Sequence, residues 1–235
     1  MSYKENIFNG SEEYFDEQKT ILKSFILKTD DVVEKIKFKG NTRVYLYYNS
    51  KQPEFGILAE DYFYKNLIFL AGTKAGFTID GELDTGTLKT KADINGIIFA
   101  PNTNLTLYPK SELAYGTLLQ NTLIGDIWCK KNTKVYFFQT GELKECTLLK
   151  NTLLKGIWYK KNTKLALDEK GNVVFGTLLQ NTLIDDIKWK KNTKITFNDK
   201  QRVYQGTLNQ KLTRDKITYY KGQEIQINND EIFLI

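Results

Sequence analysis

Apolar and polar positions follow two rhythms along this chain. Locally, β-branched and aromatic residues alternate with polar ones over six or seven residues, as in LIDDIKW (183–189), TKITFN (193–198) and NVVFGTL (172–178). At longer range the pattern returns every thirty residues: GTLLQNTLIGDIWCKKNTKVYFFQTGELKE, CTLLKNTLLKGIWYKKNTKLALDEKGNVVF and GTLLQNTLIDDIKWKKNTKITFNDKQRVYQ fill residues 116–205. Alternation with period two predicts half-buried strands. Return at a fixed long period predicts units that bury their apolar faces against one another. The expected fold is all-β, an elongated antiparallel β-repeat array with about three short strands per 30-residue unit.

With Gly116 as position 1, blocks begin at Gly56, Gly86, Gly116, Cys146, Gly176 and Gly206. A degenerate block at 35–48 matches positions 11–24, which makes seven units. The step from Thr42 to Thr73, both at position 18, is 31 residues, so one extra residue falls near 49–53. Residues 15–27 align without a gap on 167–179, with Ser24 on Gly176. They read as an N-terminal half-unit hairpin rather than the capped amphipathic helix that Ser11, Tyr14, Phe15, Ile21 and Leu22 also suggest. Residues 1–14 are then a tail or a cap, and 15–235 a single β-repeat domain.

Within a unit, strands are expected at positions 8–14, 18–23 and 27 through 3 of the next block. Position 17 is only Asn or Gly: Asn41, Gly72, Asn102, Asn132, Asn162, Asn192 and Gly222. These residues tolerate the left-handed conformation that a three-residue hairpin loop needs at its end. A loop at 15–17 would pair position 14 with 18 and 12 with 20. Two odd intervals, Ile184 to Ile187 and Val173 to Leu178, predict a bulge or bend on the first and third strands. Position 1 would lie opposite position 11, with the sheet folded along that line and glycine chosen because a side chain would not fit.

These blocks resemble arrays of roughly thirty residues in bacterial proteins, with a consensus near G-x-L-x-x-G-T-L followed by I-x-G-I-x-Y-K-x-G-T-x-I-x-F. GELKECTL, KGIWYKKNTKLAL and DDIKWKKNTKITF carry the likeness, which covers nearly all of residues 15–235. More distantly they are similar to MORN-type β-hairpin repeats. The resemblance implies a fold and no defined activity, so it brings no functional residues.

Composition narrows the chemistry. Apolar residues make up 41% and charged ones 26%, and no apolar run approaches the ~18 residues of a membrane-spanning helix. The N-terminal stretch is acidic and lacks an apolar core, so a cytoplasmic protein without a signal peptide is expected. Histidine is absent, which removes the commonest general base and the imidazole metal ligand. Cys129 and Cys146 suggest neither a disulfide framework nor a metal site and read as structural. Asp30 with Asp31, Asp168 with Glu169, and Asp185 with Asp186 are sequence neighbours that a strand would point to opposite faces. No enzyme activity, cofactor or metal is expected.

Charge is distributed unevenly. Residues 116–205 hold 16 Lys plus Arg against 8 Asp plus Glu, a net +8, whereas the whole chain is 34 − 28 = +6. The excess sits in the KKNTK blocks: Lys130, Lys131 and Lys134; Lys160, Lys161 and Lys164; Lys190, Lys191 and Lys194. With Trp128 and Trp158 at position 13, such a patch could hold nucleic acid or another polyanion. Equally, lysines in tight turns keep hairpin ends soluble. One row of these turns would make a basic stripe, and two rows would dilute it.

Repeats two and three differ at the same turn, with Leu70 and Ala71, then Ala100 and Pro101, in place of lysines. Leu70, Ala71 and Phe77, together with Trp128 and Trp158, are candidate partner contacts. The chain ends in EIFLI, an apolar strand suited to pairing with a second copy or a partner. The leading expectation is a non-enzymatic scaffold presenting an extended β surface to another protein. Polyanion binding through the KKNTK turns is the alternative.

Overall fold

The computed structural model describes residues 12–15, 21–109, 112–228 and 231–235, which hold thirty antiparallel strands of three to six residues and no α-helix. Contacts divide the chain into two compact units, Met1–Leu119 and Gln120–Ile235, where the sequence reads as one array. Both units are built alike. Each has a main sheet of eight strands taken in chain order, and separate two-stranded hairpins, three in the first unit and four in the second.

One repeat shows the plan. Val173–Thr177 lies in the main sheet. The chain then leaves it to make a small hairpin, Thr182–Ile184 with Ile187–Trp189. It returns as Lys194–Phe197, beside Val173–Thr177, and continues into Val203–Thr207. A repeat therefore has four strands, not three. The expected strand at positions 8–14 is cut in two by a tight turn at positions 10 and 11.

Backbone conformation explains the cut. Both turn residues are left-handed in Asn95 (φ 53°) and Gly96 (φ 79°), in Lys155 (φ 47°) and Gly156 (φ 80°), and in Asp185 (φ 50°) and Asp186 (φ 60°). Two successive left-handed residues form the turn whose twist matches a two-residue hairpin. Ile184 and Ile187 face each other across it, so their three-residue interval marks a reversal and not a bulge. On the third strand the expected bulge is present. Ala166 pairs with Phe175 and Leu167 with Val173, which leaves Val174 as the extra residue.

The expected pairing of positions 14 and 18 is also corrected. Strand Lys194–Phe197 pairs on both sides with main-sheet strands, Gly176 opposite Ile195 and Phe197 opposite Val203. The glycine column therefore faces position 20, not position 11. Position 14 bridges position 3 of the following repeat, Tyr159 to Leu178 and Trp189 to Leu208. Position 17 is left-handed in all seven repeats, from 58° at Asn41 to 90° at Gly222, but its loop joins the small hairpin to the main sheet.

The core lies between the small hairpins and one face of the main sheet. Position 14 contributes Phe38, Phe69, Phe99, Tyr159 and Trp189, all essentially inaccessible, and position 3 contributes Leu58, Leu88, Leu118, Leu178 and Leu208. Burying a large side chain of this kind contributes about 1.5–3 kcal/mol. Each ring lies against the glycine that opens the next repeat. A Cβ added to Gly56, Gly86, Gly116, Gly176 or Gly206 would come within 2.4–2.6 Å of a ring carbon, so glycine is required there by packing, as the sequence suggested.

The N-terminal half-unit is a hairpin, Glu12–Phe15 with Leu22–Ile26, and its alignment slips by one residue. Phe25, not Ser24, stands opposite Val44 in the glycine column. Phe25 is itself fully buried, filling with its own ring the place that glycine leaves to a position-14 ring in the later repeats. A slip of one residue exchanges every side chain between faces. Of the expected tail or cap at 1–14, residues 12–14 belong to the hairpin's first strand, whereas residues 1–11 and the turn at 16–20 lie outside the described residues. The extra residue near 49–53 is real: the turn closed by Tyr47 N–H to Gln52 O is one residue longer than that closed by Thr78 N–H to Glu82 O.

Gly176→Ala should lower stability by roughly 1–3 kcal/mol in urea unfolding, the usual cost of overpacking a core. Combining it with Tyr159→Val should recover part of that loss, because the two side chains compete for one volume. Strictly additive losses would show that the ring does not dictate the glycine.

Candidate functional site

The lysine turns of the second unit are shaped by three local constraints. Thr133, Thr163 and Thr193 donate their hydroxyls to the carbonyls of Lys130, Lys160 and Lys190 at 2.6, 2.5 and 2.6 Å. Asn132, Asn162 and Asn192 take the left-handed conformation at φ 59–61°. Asn121, Asn151 and Asn181, ten residues upstream, accept the N–H of Lys131, Lys161 and Lys191 at 2.8–2.9 Å. The position-16 lysines are thus held on a fixed backbone with their side chains outward. Among the described residues their amines have no hydrogen-bond or ion-pair partner.

An even number of strands per repeat returns the chain to the same edge each time, so the turns form one row within this unit. Direct contacts confirm it: Lys130 Nζ donates to Asn162 Oδ1 at 2.8 Å, and Lys160 Nζ to Asn192 Oδ1 at 2.8 Å. Two main-sheet strands per repeat set a spacing of about 10 Å between equivalent lysines. Lys221 at position 16, and Lys150 and Lys211 at positions 5 and 6, extend the same edge. From 120 to 223, positions 5–7 and 15–18 contain no Asp or Glu.

Acidic residues gather at the opposite end of the strands. Asp126, Asp185, Asp186 and Asp215 occupy small-hairpin turns, while Glu142, Glu169 and Asp199 occupy main-sheet turns. The two kinds of turn meet there, since Lys155 Nζ donates to Asn172 Oδ1 and Val203 N–H to Asp185 Oδ2. Asp185 and Asp186 are therefore turn residues and not strand neighbours. Asp168 likewise closes a turn, accepting the N–H groups of Lys170 and Asn172. Burial opposes its ionisation, but these bonds and the Asn172 side chain outweigh burial and hold its carboxyl below the usual range.

The remaining sequence candidates are dispersed. Lys164 and Lys194, at position 19, turn onto the outer face of the main sheet. Lys164 pairs with Glu145 at 2.7 Å, whose hydrogen bond raises the amine's proton affinity, and Lys194 lies 4.4 Å from the centre of the Phe175 ring. Lys134 is also engaged by neighbours. Trp128 and Trp158 lie on the solvent face of the small hairpins, opposite Leu123 and Leu153. Leu123, Leu153 and Leu183 are 50–66% exposed there, and Lys150 Nζ lies 5.5 Å from the Trp128 ring centre.

In the first unit, Leu70 and Ala71 are half-buried, and Ala71 N–H is taken by Asp61 Oδ1 at 3.1 Å. The Lys89 amine, then that N–H, hold the Asp61 carboxyl low. Phe77 must be withdrawn as a partner contact. It is 1% exposed, with Phe38 and Tyr62 packed edge-on against it, so no partner can reach it.

Sequence reasoning missed Asn121, Asn151 and Asn181, although an Asn ten residues before each position-16 lysine was visible. No family model matches the chain, and no curated protein matches it.

Asn181→Ala should free the Lys191 N–H and cost about 1 kcal/mol, the typical worth of a side-chain cap. Hydrogen exchange should accelerate at Lys191 and stay unchanged at Lys161. Equal acceleration at both would contradict a local cap.

Proposed function

We propose that the protein is a non-enzymatic repeat module whose second unit binds a polyanion of the nucleic-acid class along the lysine row. The observation that supports this most directly is the single row itself: Lys131, Lys161, Lys191 and Lys221 lie on one edge, with no carboxylate at the intervening turn positions. At physiological salt the Debye length is about 8 Å, somewhat shorter than the spacing of about 10 Å between the lysines, so neighbouring potentials overlap only in part and binding along the row weakens as salt rises. Phosphate contacts of this kind position a chain without reading its sequence.

A scaffold role with a protein partner is the second reading. It is favoured by the strip of Leu123, Leu153, Leu183 and Trp158 on the solvent face of the small hairpins. A likeness to MORN-type repeats and a bacterial, cytoplasmic origin belong with that reading.

Fluorescence anisotropy with single- and double-stranded oligonucleotides at rising salt tests the first reading. Four lysine–phosphate contacts predict a slope of log K against log salt of roughly −3 to −4, and loss of about tenfold or more in affinity at moderate salt on Lys→Ala at 131, 161 and 191 together. Full affinity in that triple variant, or no binding at low salt, would overturn the reading. Leu153→Asp should leave polyanion binding unchanged and abolish a protein contact on the hairpin face.

A further inference from the structure

We propose that Cys129 and Cys146 form a disulfide that links two successive repeats. Five junctions share one solution, a position-14 ring over a glycine: Phe38 on Gly56, Phe69 on Gly86, Phe99 on Gly116, Tyr159 on Gly176 and Trp189 on Gly206. At the sixth both members change together, with Cys129 in the ring's place and Cys146 in the glycine's. Neither change alone suits the site. A Cβ at position 1 meets a ring, and a cysteine over glycine leaves the ring's volume empty.

Junction geometry suits a covalent link. A Cβ built on Gly86 lies 3.3 Å from Phe69 Cγ, the atom whose place a cysteine sulfur takes. Across a disulfide, each Cβ lies about 3 Å from the far sulfur, given an S–S bond of about 2.05 Å. Both cysteines are free thiols here and buried, at 0% and 1% exposure. In the reduced protein Cys129 Sγ also lies 3.7 Å from Ile127 O. No cluster of three or more His, Cys, Asp or Glu placed to hold a metal ion occurs among the described residues.

The reaction is a thiol–disulfide exchange with a low-molecular-weight disulfide such as oxidised glutathione. Each protein thiol gives up its proton and the pair gives up two electrons. The S–S bond of the oxidant breaks as that between Cys129 and Cys146 forms, and two small thiols leave. The neighbouring Cys146 and burial both push the Cys129 thiol's proton affinity up, so it is a poor surface nucleophile. The bond is accordingly made while the junction is open, during folding or local unfolding, and is sheltered once the rings on either side close. Its persistence requires oxidising surroundings.

Refolding the full chain from urea in a glutathione redox buffer, followed by alkylation in denaturant and intact mass measurement, tests this. The expected product has lost two hydrogens, takes up no alkylating agent, and yields one cross-linked peptide containing Cys129 and Cys146. Closing the 17-residue span should raise the melting temperature of the oxidised form by roughly 6–12 °C over the reduced form. The double variant Cys129→Phe with Cys146→Gly restores the ring-on-glycine pair. It should fold and show no redox-dependent shift. Two free thiols after oxidative refolding, mixed glutathione adducts without a cross-link, or the same redox shift in the double variant would each overturn the proposal.

Discussion

The contact between a position-14 ring and the glycine opening the next repeat is the constraint on which the other features depend. It ties the small hairpin of one repeat to the main sheet of the following one, as Tyr159 does over Gly176 and Trp189 over Gly206. A short hairpin of three-residue strands has little stability alone. Covering a main-sheet face and anchoring its last residue under the next repeat removes that weakness. Phe25 stands opposite Val44 in the glycine column and is fully buried, so the column accepts a large side chain at the half-unit.

The same plan determines where charge falls. Because the small hairpin reverses the chain once more within each repeat, turns of one kind all reach one edge of a unit. Lysines at positions 15 and 16 then accumulate along that edge in the second unit, and acidic turn residues along the other. Had the repeat held three strands, successive lysine turns would have alternated between edges and cancelled much of the effect. A local feature, two left-handed residues such as Asp185 and Asp186, thus decides between a basic stripe and a diluted surface.

Much of the fold was legible in the sequence because period two and period thirty are both properties of residue pattern alone. The left-handed residue at position 17, the bulge beside Val173 and the tight fit at the glycines all followed from side-chain chemistry. Pairing partners did not. Positions 14 and 18 satisfy the parity of a hairpin, yet each prefers a partner farther along the chain, and parity carries no information about distance. The Asn95–Gly96 pair was a direct sign of a two-residue turn, but Gly125 with Asp126 and Asp185 with Asp186 at the same positions obscured it. Phe77 misled for a related reason. It follows an apolar turn closely in sequence, but it lies on the main sheet's covered face. The lysine row was visible as composition, and only the strand count could turn it into geometry.

The distance between spin labels at Lys131→Cys and Lys221→Cys, two exposed positions of the second unit, tests the single row most directly. Cys129 and Cys146 are buried and out of reach of the label in the folded protein. The two labelled turns are separated by three repeats and six main-sheet strand spacings, which predicts roughly 30 Å if they share an edge. Turns alternating between edges, with three strands per repeat in one sheet, would put the labels well beyond about 40 Å apart. A distance distribution centred in that longer range would contradict the four-stranded repeat and the basic stripe together.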